Sequence, residues 1–295
     1  ALDALSRALG GYRAGYKGEI EAVKARWQEE LDRLDQKEIG TGYASEVKDP
    51  NSESWRRFKK DVGCELTQTL ALGMVNRFTA PDAVVIGASG SLPGCMQRMW
   101  RPRVPNTYNM EYGYSCMGYE VSGAFGVKLA IGDEREVYAM AGDGSFNMLH
   151  SELITSVQEG RKINVLLFDN ASFGCINNLQ LGQGNDTMCT EMRRRVPGER
   201  MHHNGDFMCI DYAAIARAYG CVSYTVRTAA ELEAALEDSK KQTVSTLIDI
   251  KVLPKSMTEG YGGWWRVGTA EVSERESVRA ARQDLDEHLA QARKY

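Results

Sequence analysis

Apolar positions recur along this chain with changing periods, and each change of period marks an element. Between residues 20 and 34, Ile20, Val23, Trp27, Leu31 and Leu34 fall at three- and four-residue intervals, which predicts one helical stripe. Residues 1–50 as a whole are rich in charge and read as one or two helices. Such a segment cannot form a core alone, so it is expected to pack on a larger body or link it to another unit. The KDPNSES run at 48–54 reads as a loop. From about residue 60 to 255 short apolar runs alternate with helical patterns. Strands are expected at 83–87, 137–141, 163–169, 222–226 and 245–250. Helices are expected at 64–78, 117–131, 146–159, 211–219 and 229–238, with an irregular loop over 180–210. A tail from 256 begins loop-like around Tyr261–Trp265 and ends in a charged helix. Strands regularly separated by helices predict an α/β fold, a doubly wound parallel sheet with helices on both faces. Ligands of such sheets bind beyond the carboxyl ends of the strands.

Composition narrows the classes. With 295 residues, 43% hydrophobic and 26% charged, the chain has the make-up of an ordinary globular protein. A net charge of −4 gives no reason to expect nucleic acid or an anionic membrane as partner. No apolar run approaches the roughly 18–20 residues needed to span a bilayer, and the N-terminus has no signal-peptide pattern. The seven cysteines are odd in number, scattered and without a CxxC pair. They predict reduced thiols and a cytoplasmic setting rather than a disulfide framework or zinc site.

The segment AGDGSFNMLHSELITSVQEGRKINVLLFDNASFG carries the chemistry. The strand at 137–141 ends just before Asp143, and the strand at 163–169 ends just before Asn170. A helix over 146–159 descends about 21 Å, and the returning strand climbs about 23 Å. Asp143 and Asn170 should therefore meet at one edge of the sheet. A carboxylate, an amide oxygen and nearby carbonyls are hard donors suited to Mg²⁺ or Ca²⁺. Gly144 permits close backbone approach, and the helix start at Ser145–Phe146 offers free N–H groups to an anion. One carboxylate beside such a nest favours a metal–diphosphate over a bare cation. Phe146, Leu149, Leu153, Ile154 and Val157 are expected to be core.

Gly142-Asp143-Gly144, followed 27 residues after Asp143 by Asn170, resembles the cofactor motif of the thiamine-diphosphate enzymes. The resemblance implies that Mg²⁺ is held by Asp143, Asn170 and the Ser172 carbonyl, with the cofactor's diphosphate on Gly144 and Ser145. Asp169 stands where the motif usually has a first Asn, a position that is not the usual ligand. TYNMEYGYSCMGYEVSGAFGVKLA resembles the family's stretch before the cofactor-capping helix. There Met117 would prop the cofactor and the Ser115 carbonyl would accept from its aminopyrimidine, although Met117 also reads as an ordinary core residue. The loop Gly87–Ser91 resembles the second diphosphate-contacting loop, with Gly90 and Ser91 as contacts. On this basis residues 56–255 are a diphosphate-binding domain, 1–55 a helical lead-in and 256–295 a tail.

Two longer segments, HSELITSVQEGRKINVLLFDNASFGCINNLQ and STLIDIKVLPKSMTEGYGGWWRVGTAEVS, are similar to the C-terminal half of the ring-cleaving trihydroxycyclohexane-dione hydrolases of inositol catabolism. That branch implies hydration and C–C cleavage of a polyhydroxylated cyclic 1,2-diketone to 5-deoxyglucuronate, by a homo-oligomer (dimer or tetramer). His150 and Asn177 are the candidate catalytic residues, with Asn178 and Gln180 as further substrate contacts. His150 equally fits a half-buried packing role, and Asn177 and Asn178 equally fit a helix cap. His202 and His203 read as solvated loop residues or as catalytic groups, and Trp264 and Trp265 as packing for the tail or as pocket lining. The family also requires a glutamate from a pyrimidine-binding domain, for which residues 1–50 are too short. Glu152 lies on the helix after GDG and is not that residue. The chain therefore reads as a fragment or one subunit of a split enzyme. An acetolactate-synthase-like decarboxylase or carboligase and a non-catalytic cofactor-binding subunit are the other readings.

Overall fold

The computed structural model describes residues 1–40, 43–47, 53–198, 205–261, 264 and 266–293. Six strands form one sheet: β1 (Val84–Gly87), β2 (Tyr108–Met110), β3 (Val137–Gly142), β4 (Asn164–Asp169), β5 (Val222–Val226) and β6 (Thr246–Lys251). Their spatial order is β2-β1-β3-β4-β6-β5, and every pairing is parallel. The chain leaves β1 toward β2 on one side, then crosses back to place β3 on the other. The crevice between β1 and β3 is thus the topological switch point, where open α/β sheets bind ligands.

The helices preceding β1 are α1 (Leu2–Leu9), α2 (Lys17–Asp35), α3 (Glu53–Val62) and α4 (Gln68–Phe78). Between the strands lie α5 (Ser91–Met99), α6 (Tyr119–Ile131), α7 (Asp143–Met148), α8 (Glu152–Gln158), α9 (Gly174–Gly182), α10 (Tyr212–Ala218) and α11 (Ala229–Lys241), and α12 (Glu276–Gln291) follows the last strand. Alternation along the strands feeds two cores. Tyr138, Met140, Leu166, Phe168, Ile248 and Ile250 face one, with side chains of α4, α5 and α11. Val137, Ala139, Ala141, Val165, Leu167 and Leu247 face the other, with side chains of α6, α8 and α10. Local chemistry sets several helix starts: Thr67 accepts from Leu70 N–H, and Thr228 with Glu231 forms a reciprocal capping box on α11.

Four expectations need correction. The helix expected over 146–159 is two helices, α7 and α8, broken where Leu149 turns extended (φ −156°, ψ 92°). The break sends Leu149 and Ile154 outward, each 46% exposed, while Phe146 and Leu153 stay buried. The stripe on α2 divides as well: Leu31 and Leu34 are buried and Trp27 packs against them, but Ile20 and Val23 face outward. Helix α3 begins inside the expected 48–54 loop, whose residues 48–52 lie outside the described residues. Strand β2 and helices α5 and α9 were not anticipated, and α9 runs into the start of the expected 180–210 loop. Trp264 stacks on His288 of α12 at 4.7 Å, whereas Trp265, His202 and His203 lie outside the described residues.

Candidate functional site

A cleft of about 390 Å³ opens at the switch point, beyond the carboxyl ends of β1 to β4. Gly90, Ser91, Ser115, Met117, Asp143, Gly144, Ser145, Asn170 and Ser172 all line it. Four separate loops supply these nine residues, one after each of the first four strands, so parallel strand order alone brings them together.

Asp143 follows directly on β3 as the first residue of α7. It is buried, and its Oδ2 meets no hydrogen-bond donor. Burial, then the charge of Asp169, pushes its carboxyl well above the usual range. An orphaned buried carboxylate oxygen at a cleft suits a cation. Asn170 Oδ1, beyond β4, accepts from Ser172 N–H at 3.1 Å and from Ser172 O–H at 2.8 Å. Between them Ala171 takes a left-handed backbone (φ 49°), rare for a residue with a Cβ. The adjoining pairing uses Phe173 N–H to Thr190 O and Met192 N–H to Ala171 O, neither of which engages the Ser172 carbonyl. Among the described residues no group of three or more His, Cys, Asp or Glu could cage a metal. A metal here would rest on one carboxylate, one amide oxygen and one carbonyl.

The glycine at 144 has a second reason beyond ligand approach. A Cβ there would stand 2.7 Å from the Phe173 ring, so this glycine lets Phe173 close over the turn. Gly90 differs: its φ is +126°, and a Cβ would meet nothing within 4 Å. It caps α5 with no side-chain partner, and the first turn of that helix lines the cleft. The Ser115–Gly118 segment crosses the cleft mouth. Ser115 is left-handed (φ 61°), and its carbonyl accepts from Met117 N–H at 3.1 Å. Glu111 braces this segment by accepting from Tyr114 N–H and Cys116 N–H, and Ser89 and Ser115 hydroxyls bond each other.

Beneath the site lies a buried charge cluster. Lys251 sits beside Asp169 in the β4–β6 register, hydrogen-bonds it, and forms an ion pair with Asp249 at 2.8 Å. Burial works against its ammonium, but the two carboxylates outweigh that and hold its pKa above the ordinary value. The same cluster pushes Asp249 upward, through burial first and Asp169 second. Asp169 Oδ1 also accepts from Ala171 N–H at 2.9 Å, so the strained loop rests on this pair. The acid that departs from the usual motif is thus matched by a lysine.

The two candidate catalytic residues sit elsewhere. His150 stacks on Phe146 (4.9 Å) and Tyr219 (5.7 Å), bonds Tyr219 O–H at 3.2 Å, and does not line the cleft. Asn177 is buried, with Oδ1 taken by Lys255 and Nδ2 donating to Thr187 and Thr190. Asn178 shares Lys255, and Gln180 binds Thr190 and the Met188 backbone. Gln180 fixes the loop after α9, while Asn178 ties α9 to the segment after β6. Cleft residues that sequence reasoning missed include Gln68, Tyr112, Phe173, Cys175, Ile176 and Leu179. Cys175, Ile176 and Leu179 share one face of α9, and recognising that helix would have grouped them.

Comparison with known proteins gives the family. Residues 88–250 match the family model "Thiamine pyrophosphate enzyme, C-terminal TPP binding domain". Over 294 residues the chain is 56% identical to 3D-(3,5/4)-trihydroxycyclohexane-1,2-dione hydrolase of Geobacillus thermodenitrificans, covering all of this chain and 46% of that protein. It is 54% identical to hydrolase 2 of that name from Bacillus cereus, over 96% of this chain and 44% of the relative. The chain spans about half the length of these curated relatives. Among solved structures, the Rhodococcus jostii RHA1 thiamine diphosphate-dependent 4-hydroxybenzoylformate decarboxylase shares the fold. Its TM-score is 0.52 at 21% identity, covering 64% of this chain and 33% of that one. Benzoylformate decarboxylase from Polynucleobacter necessarius matches to the same extent. The cleft, its glycine turn and the domain match lead to one assignment: this chain belongs to the thiamine pyrophosphate enzymes and carries their C-terminal cofactor-binding domain.

Proposed function

We propose that this chain supplies the diphosphate and metal half of the active site of a trihydroxycyclohexane-1,2-dione hydrolase of inositol catabolism. Residues 56–255 act as the diphosphate-binding domain, flanked by the lead-in 1–55 and the tail 256–295. The observation that carries the reading is 56% identity across the whole chain to a relative of that name. The cleft supports it, because Asp143 Oδ2 is buried at its floor without a donor. Asp143, Asn170 Oδ1 and the Ser172 carbonyl would hold Mg²⁺, which takes oxygen ligands in an octahedron. At Asn170 the ion would displace the Ser172 hydroxyl as partner. Main-chain N–H groups of Gly144, Ser145, Gly90 and Ser91 would hold the diphosphate, and Met117 with the Ser115 carbonyl would set the ring end. When bound, thiamine diphosphate supplies an electron sink at the carbon it attacks.

This chain's residues would orient the cofactor and exclude water from its diphosphate end, and Cys175, Ile176 and Leu179 supply an apolar wall to the cleft. His150 and Asn177 do packing work in this reading rather than proton transfer, since neither reaches the cleft. The glutamate that activates the cofactor would come from a pyrimidine-binding domain of the same or a partner polypeptide, in a homo-oligomer. The full-length protein, given thiamine diphosphate and Mg²⁺, should release acid from trihydroxycyclohexane-1,2-dione and no CO₂ from pyruvate. The reverse pattern would assign the acetolactate-synthase-like reading instead.

A further inference from the structure

Glu120, on the first turn of α6, is 1% exposed and lies outside every role assigned so far. Its carboxylate accepts the Ser145 hydroxyl proton, with oxygens at 2.7 and 2.9 Å, and the Gly118 N–H at 3.0 Å. Gly118 N–H also donates to Ser145 Oγ at 2.7 Å. Three groups from two loops thus close one buried ring of hydrogen bonds. A serine hydroxyl has a single proton, and here it goes to Glu120. A second contact reinforces the junction: Gly118 is left-handed (φ +93°), and a Cβ on it would stand 3.0 Å from Leu149 Cβ at the end of α7. The segment carrying Met117 is therefore fixed against the turn carrying Asp143, Gly144 and Ser145.

We propose that Glu120 is a positioning residue that latches the cofactor-capping segment to the diphosphate turn, with the Ser145 hydroxyl as the bolt. Ser145 then serves the diphosphate through its main-chain N–H alone. The inference rests on the cofactor reading above. A site held by such supporting bonds loses affinity when they loosen, although no contact to the ligand is removed. Because Glu120 and Ser145 act through one bond, their losses should not add.

The test titrates thiamine diphosphate in excess Mg²⁺ into the full-length protein by calorimetry, with Glu120→Ala, Ser145→Ala and the double variant. The circular dichroism of the bound cofactor and the melting temperature are recorded for each. Each single variant should weaken binding by about tenfold or more, the scale of lost supporting bonds, and alter the cofactor's dichroism. The double variant should bind no worse than the weaker single. Glu120→Gln keeps one acceptor for Ser145 and should fall between wild type and Glu120→Ala, which also guards against a failure of the alanine variant to fold. Unchanged affinity and dichroism in Glu120→Ala and Glu120→Gln would overturn the latch. So would multiplicative losses in the double variant, which would mean that the Ser145 hydroxyl touches the diphosphate itself. A wild type that fails to bind the cofactor would instead overturn the cofactor reading.

Discussion

At the scale of single residues, two buried acids near the cleft have opposite uses. Asp143 points an unpartnered oxygen at the cleft floor, where a cation would satisfy it, whereas Glu120 has all its partners within the protein. Asp143→Ala should weaken Mg²⁺-dependent cofactor binding by more than about 100-fold, since even supporting residues of metal sites cost 10–100-fold. Glu120 carries a pH signature. Burial raises its carboxyl above the ordinary glutamate range, and the Ser145 bond only partly offsets this. The native state then binds its proton more tightly than the unfolded chain does. Its contribution to stability is full below the unfolded value and falls as pH rises through the folded one. Glu120→Gln should remove that fall, so its melting temperature relative to wild type should rise with pH from the carboxylate range toward neutrality. A constant difference across that range would show that Glu120 does not titrate with folding. The motif residues at this scale were legible in sequence, because the ends of parallel strands converge whatever lies between. Glu120 and Lys251 were not, because their partners lie 25 residues away at Ser145 and 82 residues away at Asp169.

Among elements, β4 and β6 carry the site's support. The register sets Asp169 against Lys251, and period-two alternation puts Asp249 on the same face. Removing the cation leaves two buried carboxylates facing each other. Lys251→Met should cost about 3–5 kcal/mol, the usual result of breaking a buried pair. Adding Asp169→Asn, which restores the commoner motif residue, should recover part of it, as read from urea unfolding of the single and double variants. Gly118→Ala tests the α6–α7 junction. Strain at φ +93° and the Leu149 contact should cost about 1–3 kcal/mol; an unchanged unfolding midpoint would mean the junction yields freely. Long buried strands were readable from their apolar runs. Strand β2 was not, since three edge residues that are not buried leave no such run. The α7–α8 break also escaped, because Leu149 and Ile154 extend an apolar pattern that the extended backbone at Leu149 turns toward the outside.

For the whole molecule, the doubly wound architecture was readable from the alternation of strand and helix, and the switch point follows from strand order. The order itself was not readable, because it depends on which crossover reverses direction. No described helix is long and apolar enough to cross a membrane. The chain spans about half of its curated relatives, and the activating glutamate is proposed to lie in the other part. The isolated chain should therefore bind the Mg²⁺–cofactor pair weakly and turn nothing over; ring cleavage by the isolated chain would show that it completes the site alone. The most direct measurement is calorimetric titration of thiamine diphosphate into the protein, with Mg²⁺ and then with chelator, for wild type and Asp143→Ala. Binding that requires both Mg²⁺ and Asp143 is the expected result. Equal affinity in Asp143→Ala, or affinity indifferent to chelation, would contradict the assignment of Asp143 and Asn170 as the metal anchor of the cofactor.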